Sequence, residues 1–276
     1  MPYFKTTAAP QTDIYFEDAG GDGEPVLMIH GWPLSLKTWE HQSNALMAAG
    51  YRAMAYDRRG FGQSGLATGG YDYDTFASDL EDFLREQDLR GVTLVGFSMG
   101  AGEVARYIAN YGEGRVKRAV LAGGVTPYLL KTADNPDGVP EAQFDAMTAA
   151  VTKDRIEFLR EFMPQFYKGG LLAPKVSDDV LLHAKTLAWP ASPLGTQRCI
   201  QAFAKTDFRA DLTKVTVPLL VVHGDHDLIV PFEKSGKRVP EFARHAQVET
   251  IGGAPHGFIE THAEQFNEIL LDFLKR

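Results

Sequence analysis

Gly96-Phe97-Ser98-Met99-Gly100 fits the pattern G-x-S-x-G, and it stands between an apolar run, VTLVGF (92–97), and a helical pattern, AGEVARYIANYG (101–112). A chain that passes from strand to helix within one residue strains that residue, so its neighbours must lack side chains that would clash. Gly96 and Gly100 relieve that crowding and leave the Ser98 hydroxyl standing clear of the strand end. Phosphate binding is a competing use of such glycines. A dinucleotide fingerprint needs G-x-G-x-x-G and a P-loop ends in Gly-Lys-Ser/Thr. Here the glycines fall at 96, 100 and 102 with no lysine, so both phosphate patterns fail. A tight strand-to-helix corner without chemistry stays open on the motif alone.

A serine hydroxyl is a weak nucleophile until a base takes its proton, and the base is usually a histidine oriented by a carboxylate. Among eight histidines, His256 lies in the loop GGAPHGF between the last strand-like stretch, VETIGG, and the last helical one. His30 and His223 each end an apolar run before a glycine and read as structural, with a hydrogen-bonded ring. His41, His183, His245 and His262 fall in helical or surface contexts. The acid comes from HGDHDLIVP (223–231), where Asp225 and Asp227 both qualify. Asp227 directly precedes the L-I-V-P return and is favoured, which leaves Asp225 to brace the turn. The chain order Ser98, Asp227, His256 places each residue after a strand, where an open α/β sheet builds its sites. The backbone N–H groups of Trp32, in HGWP (30–33), and of Met99 are the candidate oxyanion donors. Pro33 has a fixed φ and holds that loop in one shape. HGDHD is rich in metal-ligand side chains, but H-x-H-x-D-H and H-E-x-x-H are both absent, so neither a metal nor a cofactor is expected. Cys199 is the only cysteine and sits in an amphipathic stretch, TQRCIQAF, where packing is the expected role.

These residues need a scaffold that brings positions 98, 227 and 256 together. DIYFED (13–18), PVLMIH (25–30), YRAMAYD (51–57), VTLVGF (92–97), RVKRAVLAGG (115–124), VPLLVVHG (217–224) and VETIGG (248–253) read as strands. Several lack polar alternation, the mark of strands buried on both faces in a parallel sheet. Helical spacing appears between them, as in YDTFASDLEDFLREQ (73–87), with Phe76, Leu80, Phe83 and Leu84 on one side. Repeated β-then-α order predicts a parallel sheet with right-handed crossovers. The pattern breaks over 125–206, which reads as helical, so the expected division is a core of 1–124 and 207–276 and a helical cap of 125–206. Thr261 and Glu264 form a capping-box pattern before the last helix.

Composition sets bounds. A chain of 276 residues with net charge −8 and no basic run is a poor partner for nucleic acid or an anionic membrane. No apolar run is long enough to span a bilayer. MPYFKTTAAP lacks the cationic start and apolar core of a signal peptide, and a single cysteine fits a reducing compartment, so a cytoplasmic location is expected.

HGWP, DRRGFGQSG, GFSMG, HGDHDLIVP and APHGF together resemble the α/β-hydrolase superfamily over nearly the whole chain. YDRRGFGQS, YDYDTFASDL, VGFSMGAGEVARY, NPDGVP and AFAKTDFRADL resemble its cofactor-free bacterial haloperoxidase (perhydrolase), aryl-esterase and γ-lactamase branch. The resemblance implies a mostly parallel, eight-stranded sheet flanked by helices, with a helical cap after the sixth strand. It also implies a Ser98–His256–Asp227 triad and an oxyanion hole at Trp32 and Met99. The implied activity is hydrolysis of small carboxylic esters through an acyl-enzyme, with hydrogen peroxide able to replace water. Pro33 after Trp32 is similar to the better perhydrolases. Serine at 98 argues against haloalkane dehalogenases and epoxide hydrolases, which carry aspartate there.

RIEFLREFMPQF places Phe158, Phe162 and Phe166 on one helical face. With Trp32, Tyr128, Phe144, Trp189 and Leu228, this stripe is the expected apolar pocket wall, and large aromatics there predict short acyl chains. A γ-lactamase or amidase, a carbon–carbon bond hydrolase with the same triad, and a non-catalytic ligand-binding homologue remain as alternatives. The natural substrate and any homo-oligomer are left open.

Overall fold

The computed structural model describes residues 2–171 and 176–276. Residues 172–175 of the expected cap, and Met1, lie outside the described residues. Among the described residues, eight strands form one sheet: β1 (Tyr3–Lys5), β2 (Asp13–Asp18), β3 (Pro25–Ile29), β4 (Arg52–Tyr56), β5 (Val92–Phe97), β6 (Val116–Ala122), β7 (Leu219–Gly224) and β8 (Gln247–Ile251). Their order is β1-β2-β4-β3-β5-β6-β7-β8. The β1–β2 and β2–β4 pairs are antiparallel, and all others are parallel. β5 and β7 are buried along their whole length, as unbroken apolar runs must be when helices cover both faces. β1 is the strand that sequence pattern misses: three residues, YFK, only one of them buried.

Helices α1 (Glu40–Ala48), α2 (Tyr73–Glu86) and α3 (Met99–Tyr111) cross between the early strands. α1 ends where Gly50 adopts φ +84°, a left-handed stop that a side chain would strain. α2 starts under Asp72, whose carboxylate accepts the Thr75 N–H at 3.0 Å. Its Phe76, Leu80, Phe83 and Leu84 are fully buried, each stabilising by roughly 1.5–3 kcal/mol.

Between β6 and β7 the chain leaves the sheet for α4 (Glu141–Lys153), α5 (Arg155–Phe166), α6 (Asp178–Ala188) and α7 (Pro193–Lys205). The approach to α4 folds back on itself: Lys131 N–H donates to Val139 O at 2.9 Å and Val139 N–H to Leu129 O at 2.7 Å. Buried Asn135 holds this bend by donating to the carbonyls of Tyr128 (3.1 Å) and Leu130 (2.7 Å). The short α8 (Arg209–Leu212) then leads back to β7, and α9 (Phe258–Thr261) and α10 (Ala263–Leu274) follow β8. The capping box expected at Thr261 and Glu264 does not form. Thr261 ends α9, its hydroxyl lies 2.8 Å from the His262 ring, and α10 begins at Ala263 after His262, with no side-chain cap. No helix among the described residues is long and apolar enough to cross a membrane.

Candidate active site

Ser98 occupies the turn between β5 and α3 with φ +55° and ψ −115°, a conformation that a residue with a side chain holds only under constraint. The constraint is visible. Ser98 N–H donates to Ala122 O at 2.8 Å, and Ser98 O accepts from the N–H groups of Ala101 (3.1 Å) and Val125 (3.3 Å). A Cβ at Gly96 would overlap the Gly100 carbonyl, and one at Gly100 would overlap the Ile29 carbonyl. The two glycines that frame the serine are therefore required by close backbone approach.

Three loops meet above this turn. His256, between β8 and α9, lies with Nε2 2.9 Å from Ser98 Oγ. Its Nδ1 lies 2.6 Å from Asp227 Oδ2, in the loop after β7. All three side chains are buried. Burial alone raises a carboxyl pKa, but His256 and His223 beside Asp227 outweigh it and hold the group well below the usual carboxylate range. An ionised Asp227 only accepts, so the proton sits on His256 Nδ1 and Nε2 is free to take the one on Ser98 Oγ. Phe97 lies 5.1 Å from the imidazole, and Phe166 meets it edge-on at 4.6 Å, which fixes the ring.

Asp225 does not share in this. It is exposed, accepts from Gly253 N–H at 2.6 Å and lies 3.1 Å from the His226 ring, bracing the turn. Asp227 has further support that sequence pattern did not show. Its Oδ1 accepts the N–H groups of Ile229 (2.9 Å) and Val230 (2.7 Å). Buried His223 places Nε2 3.1 Å from Asp227 Oδ2 and 2.8 Å from Val230 O. Both partners accept, so His223 carries its proton on Nε2.

The other wall is HGWP. A Cβ at Gly31 would come within 2.9 Å of Ser98 Cβ, so the backbone leading into Trp32 runs against the serine. Met99 opens α3, where an N–H has no acceptor within the helix. His30 anchors the loop from behind. Its Nδ1 lies 2.9 Å from Gly31 O, and its Nε2 accepts the Arg58 N–H at 3.0 Å. Burial and the nearby Arg58 charge push His30 well below the ordinary histidine range, so it stays neutral as a brace. Trp32 Nε1 donates to Thr196 O on α7 at 3.0 Å, tying the loop to the inserted helices.

A cavity of about 290 Å³ opens over Ser98 and His256. Four residues expected in its wall, Trp32, Phe144, Phe162 and Leu228, line it. Tyr128, Phe158 and Trp189 are not among its lining residues. Tyr128 lies under the Arg209 guanidinium, 5.1 Å from its ring centre. Phe158 sits one turn behind Phe162, stacked on it at 5.5 Å. Trp189 ends α6, where its carbonyl accepts from Arg155 at 3.0 Å. Residues that the periodicity did not single out complete the wall, among them Leu129, Met147, Phe203 and the run Ile229-Val230-Pro231. They come from loops and from helix faces whose rotation relative to the cavity depends on tertiary packing.

Among the described residues, no group of three or more His, Cys, Asp or Glu side chains is placed to hold a metal ion. Cys199 is fully buried, and burial pushes its thiol up to about 12. Since the thiolate is the reactive form, iodoacetamide at pH 8 is expected to leave the activity of the folded protein unchanged. Stoichiometric labelling of Cys199 with loss of activity would show a thiol within reach of the site.

The chain belongs to the alpha/beta hydrolase fold family, whose profile matches residues 24–263. It is 40% identical to a non-heme chloroperoxidase of Kitasatospora aureofaciens, over 98% of both chains. It is 37% identical to a bifunctional esterase/perhydrolase of Acinetobacter calcoaceticus, again over 98% of both. The crystal structure of a bromoperoxidase from Bacillus anthracis superposes with a TM-score of 0.94 at 49% identity, covering 99% of this chain and 100% of that one.

Proposed function

We propose that the protein is a serine hydrolase of small carboxylic esters, with perhydrolase activity when hydrogen peroxide takes the place of water. The observation that carries this reading is the hydrogen-bonded chain Ser98–His256–Asp227 at the floor of a mostly apolar cavity. His256 Nε2 takes the Ser98 proton as Oγ attacks the ester carbonyl. The carbonyl oxygen, now negative, is held by the N–H groups of Trp32 and Met99. Asp227 fixes the tautomer and stabilises the imidazolium. As the C–O bond breaks, His256 returns the proton to the departing alcohol. Water then repeats the sequence on the acyl-enzyme and releases the acid.

Hydrogen peroxide at the second step releases a peracid instead: one peroxide oxygen bonds the acyl carbon, the Ser98 ester bond breaks, and the peroxide proton passes through His256 to Ser98 Oγ. The names of the chloroperoxidase and esterase/perhydrolase relatives support this branch, as does Pro33 following Trp32. The helices of 125–206 act as a cap, bringing Phe144, Phe162 and Phe203 to the pocket. These rings crowd it and favour short acyl groups.

The test is a fluorophosphonate titration against p-nitrophenyl acetate hydrolysis. Loss of activity should reach completion at one equivalent per chain, with the adduct on Ser98. Turnover that survives full phosphonylation, or an adduct elsewhere, would remove the reading. A binding protein without catalysis would show neither turnover nor stoichiometric labelling.

A further inference from the structure

The cavity over Ser98 is apolar along its wall but not at its end. Lys234 and Gln143 line it, and both also line a second, more open cavity with Lys131, Asp137 and Glu233. Residues shared by the two spaces mark the mouth between them. Lys234 lies in a short 3₁₀ turn (Phe232–Lys234) just after Pro231, and its side chain is half-buried. Among the described residues it is the one lysine or arginine on the inner cavity wall. Its backbone N–H donates to Pro231 O at 3.0 Å, but its ammonium makes neither an ion pair nor a hydrogen bond among those residues. Its neighbour Glu233 is engaged elsewhere, paired with Lys237 at 2.6 Å. Asp137 is exposed and faces only the outer space. An ammonium without a partner, set beside an apolar wall, attracts an anion more strongly than one in open water does. A carboxylate carried into the same wall without it would lose its hydration uncompensated.

We propose that Lys234 is the binding group for a carboxylate at the far end of the substrate, so that the preferred class is a short ester whose acyl chain ends in a carboxylate, a monoester of a small dicarboxylic acid. This rests on the serine-hydrolase reading above and names the substrate class of that same site. The apolar wall packs the intervening methylenes. Gln143, with no side-chain hydrogen bond among the described residues, is positioned at the mouth to donate its amide N–H to the second carboxylate oxygen. An acyl-side carboxylate stays in place through both steps, whereas the departing alcohol passes out.

The test compares the monomethyl esters of succinate, glutarate and adipate with their uncharged isosteres, in which the free carboxyl is a primary amide. The readout is the acid-to-amide ratio of kcat/KM. One chain length should favour the acid by about 5- to 10-fold, mainly through KM, as a partly screened charge-assisted contact gives. The preference should shrink with added salt. Lys234→Met should bring the ratio below one, Lys234→Glu lower still, and Lys234→Arg should keep it above one. If wild type hydrolyses p-nitrophenyl acetate yet shows no acid preference at any length, or if the preference survives in Lys234→Met, the proposal is overturned while the esterase reading stands. If p-nitrophenyl acetate is not hydrolysed either, both fall together.

Discussion

Ser98→Ala will reduce kcat on p-nitrophenyl acetate by about 10⁴-fold or more while leaving the fold and its thermal midpoint in place. Only Oγ is removed. The Cβ that lies against Gly31 stays, and alanine must hold the same φ of +55° as the serine did. What remains are the proposed oxyanion donors, the Trp32 and Met99 N–H groups, and the pocket, and such groups on their own supply a small part of triad catalysis. Ser98→Gly gives an independent reading of the strain. It removes Oγ too, but glycine accepts a positive φ without penalty, so its thermal midpoint should lie above that of Ser98→Ala by the equivalent of about 1 kcal/mol. Two inactive variants that differ in stability in this direction would show the serine held in its strained turn for the sake of its hydroxyl. Activity within tenfold of wild type in Ser98→Ala would end the acyl-enzyme scheme.

The elements that position this site were legible because each is marked by a local necessity. Gly96 and Gly100 are needed where backbones nearly touch, and a strand buried on both faces shows as an unbroken apolar run. Asp227 follows such a run and His256 follows β8, the parallel edge strand beside it in which only Ile251 is buried, so the sheet brings both to one edge. The pocket was less legible. Phe158 and Phe162 share a helical face, but only the second reaches the cavity. Phe166, two turns from Phe158, lands on His256 instead. Periodicity defines a helix face but not how that face turns toward a cavity. Short elements were lost for a related reason: β1 has too few residues to show a period, and the capping-box pattern at Thr261 is overridden by the extra turn α9. Least visible were buried charges. In DRRGFGQSG the two arginines look like turn residues, yet Arg58 and Arg59 are both fully buried.

Arg58 carries the second large prediction. Its guanidinium pairs with Glu103 on α3, Nε to Oε2 at 2.8 Å, and donates to His30 O at 3.0 Å. Tyr56 OH donates to the other Glu103 oxygen. One buried network thus links β4, the helix behind Ser98 and the loop that carries Trp32. Burial disfavours the charge on Arg58, and Glu103 more than offsets that, holding its pKa above the ordinary value. Glu103→Leu strands a buried cation and is expected to cost about 3–5 kcal/mol of stability. At roughly 2–4 °C per kcal/mol for a chain of this size, the thermal midpoint should fall by about 10 °C. Arg58→Met combined with Glu103→Leu removes both charges together, and most of the lost stability should return, because an apolar pair of similar volume replaces the ion pair at little net cost. Activity should not return with it. Without the Arg58 side-chain donor, His30 O and the turn that presents the Trp32 N–H lose one of their anchors, and a displaced N–H at the proposed oxyanion site should lower kcat by about 10-fold or more with little change in KM. A double variant restored in both stability and kcat would make the pair a packing element only. A double variant as unstable as Glu103→Leu would show that the hydrogen bonds to His30 and Tyr56, rather than the balance of charge, hold this part of the core.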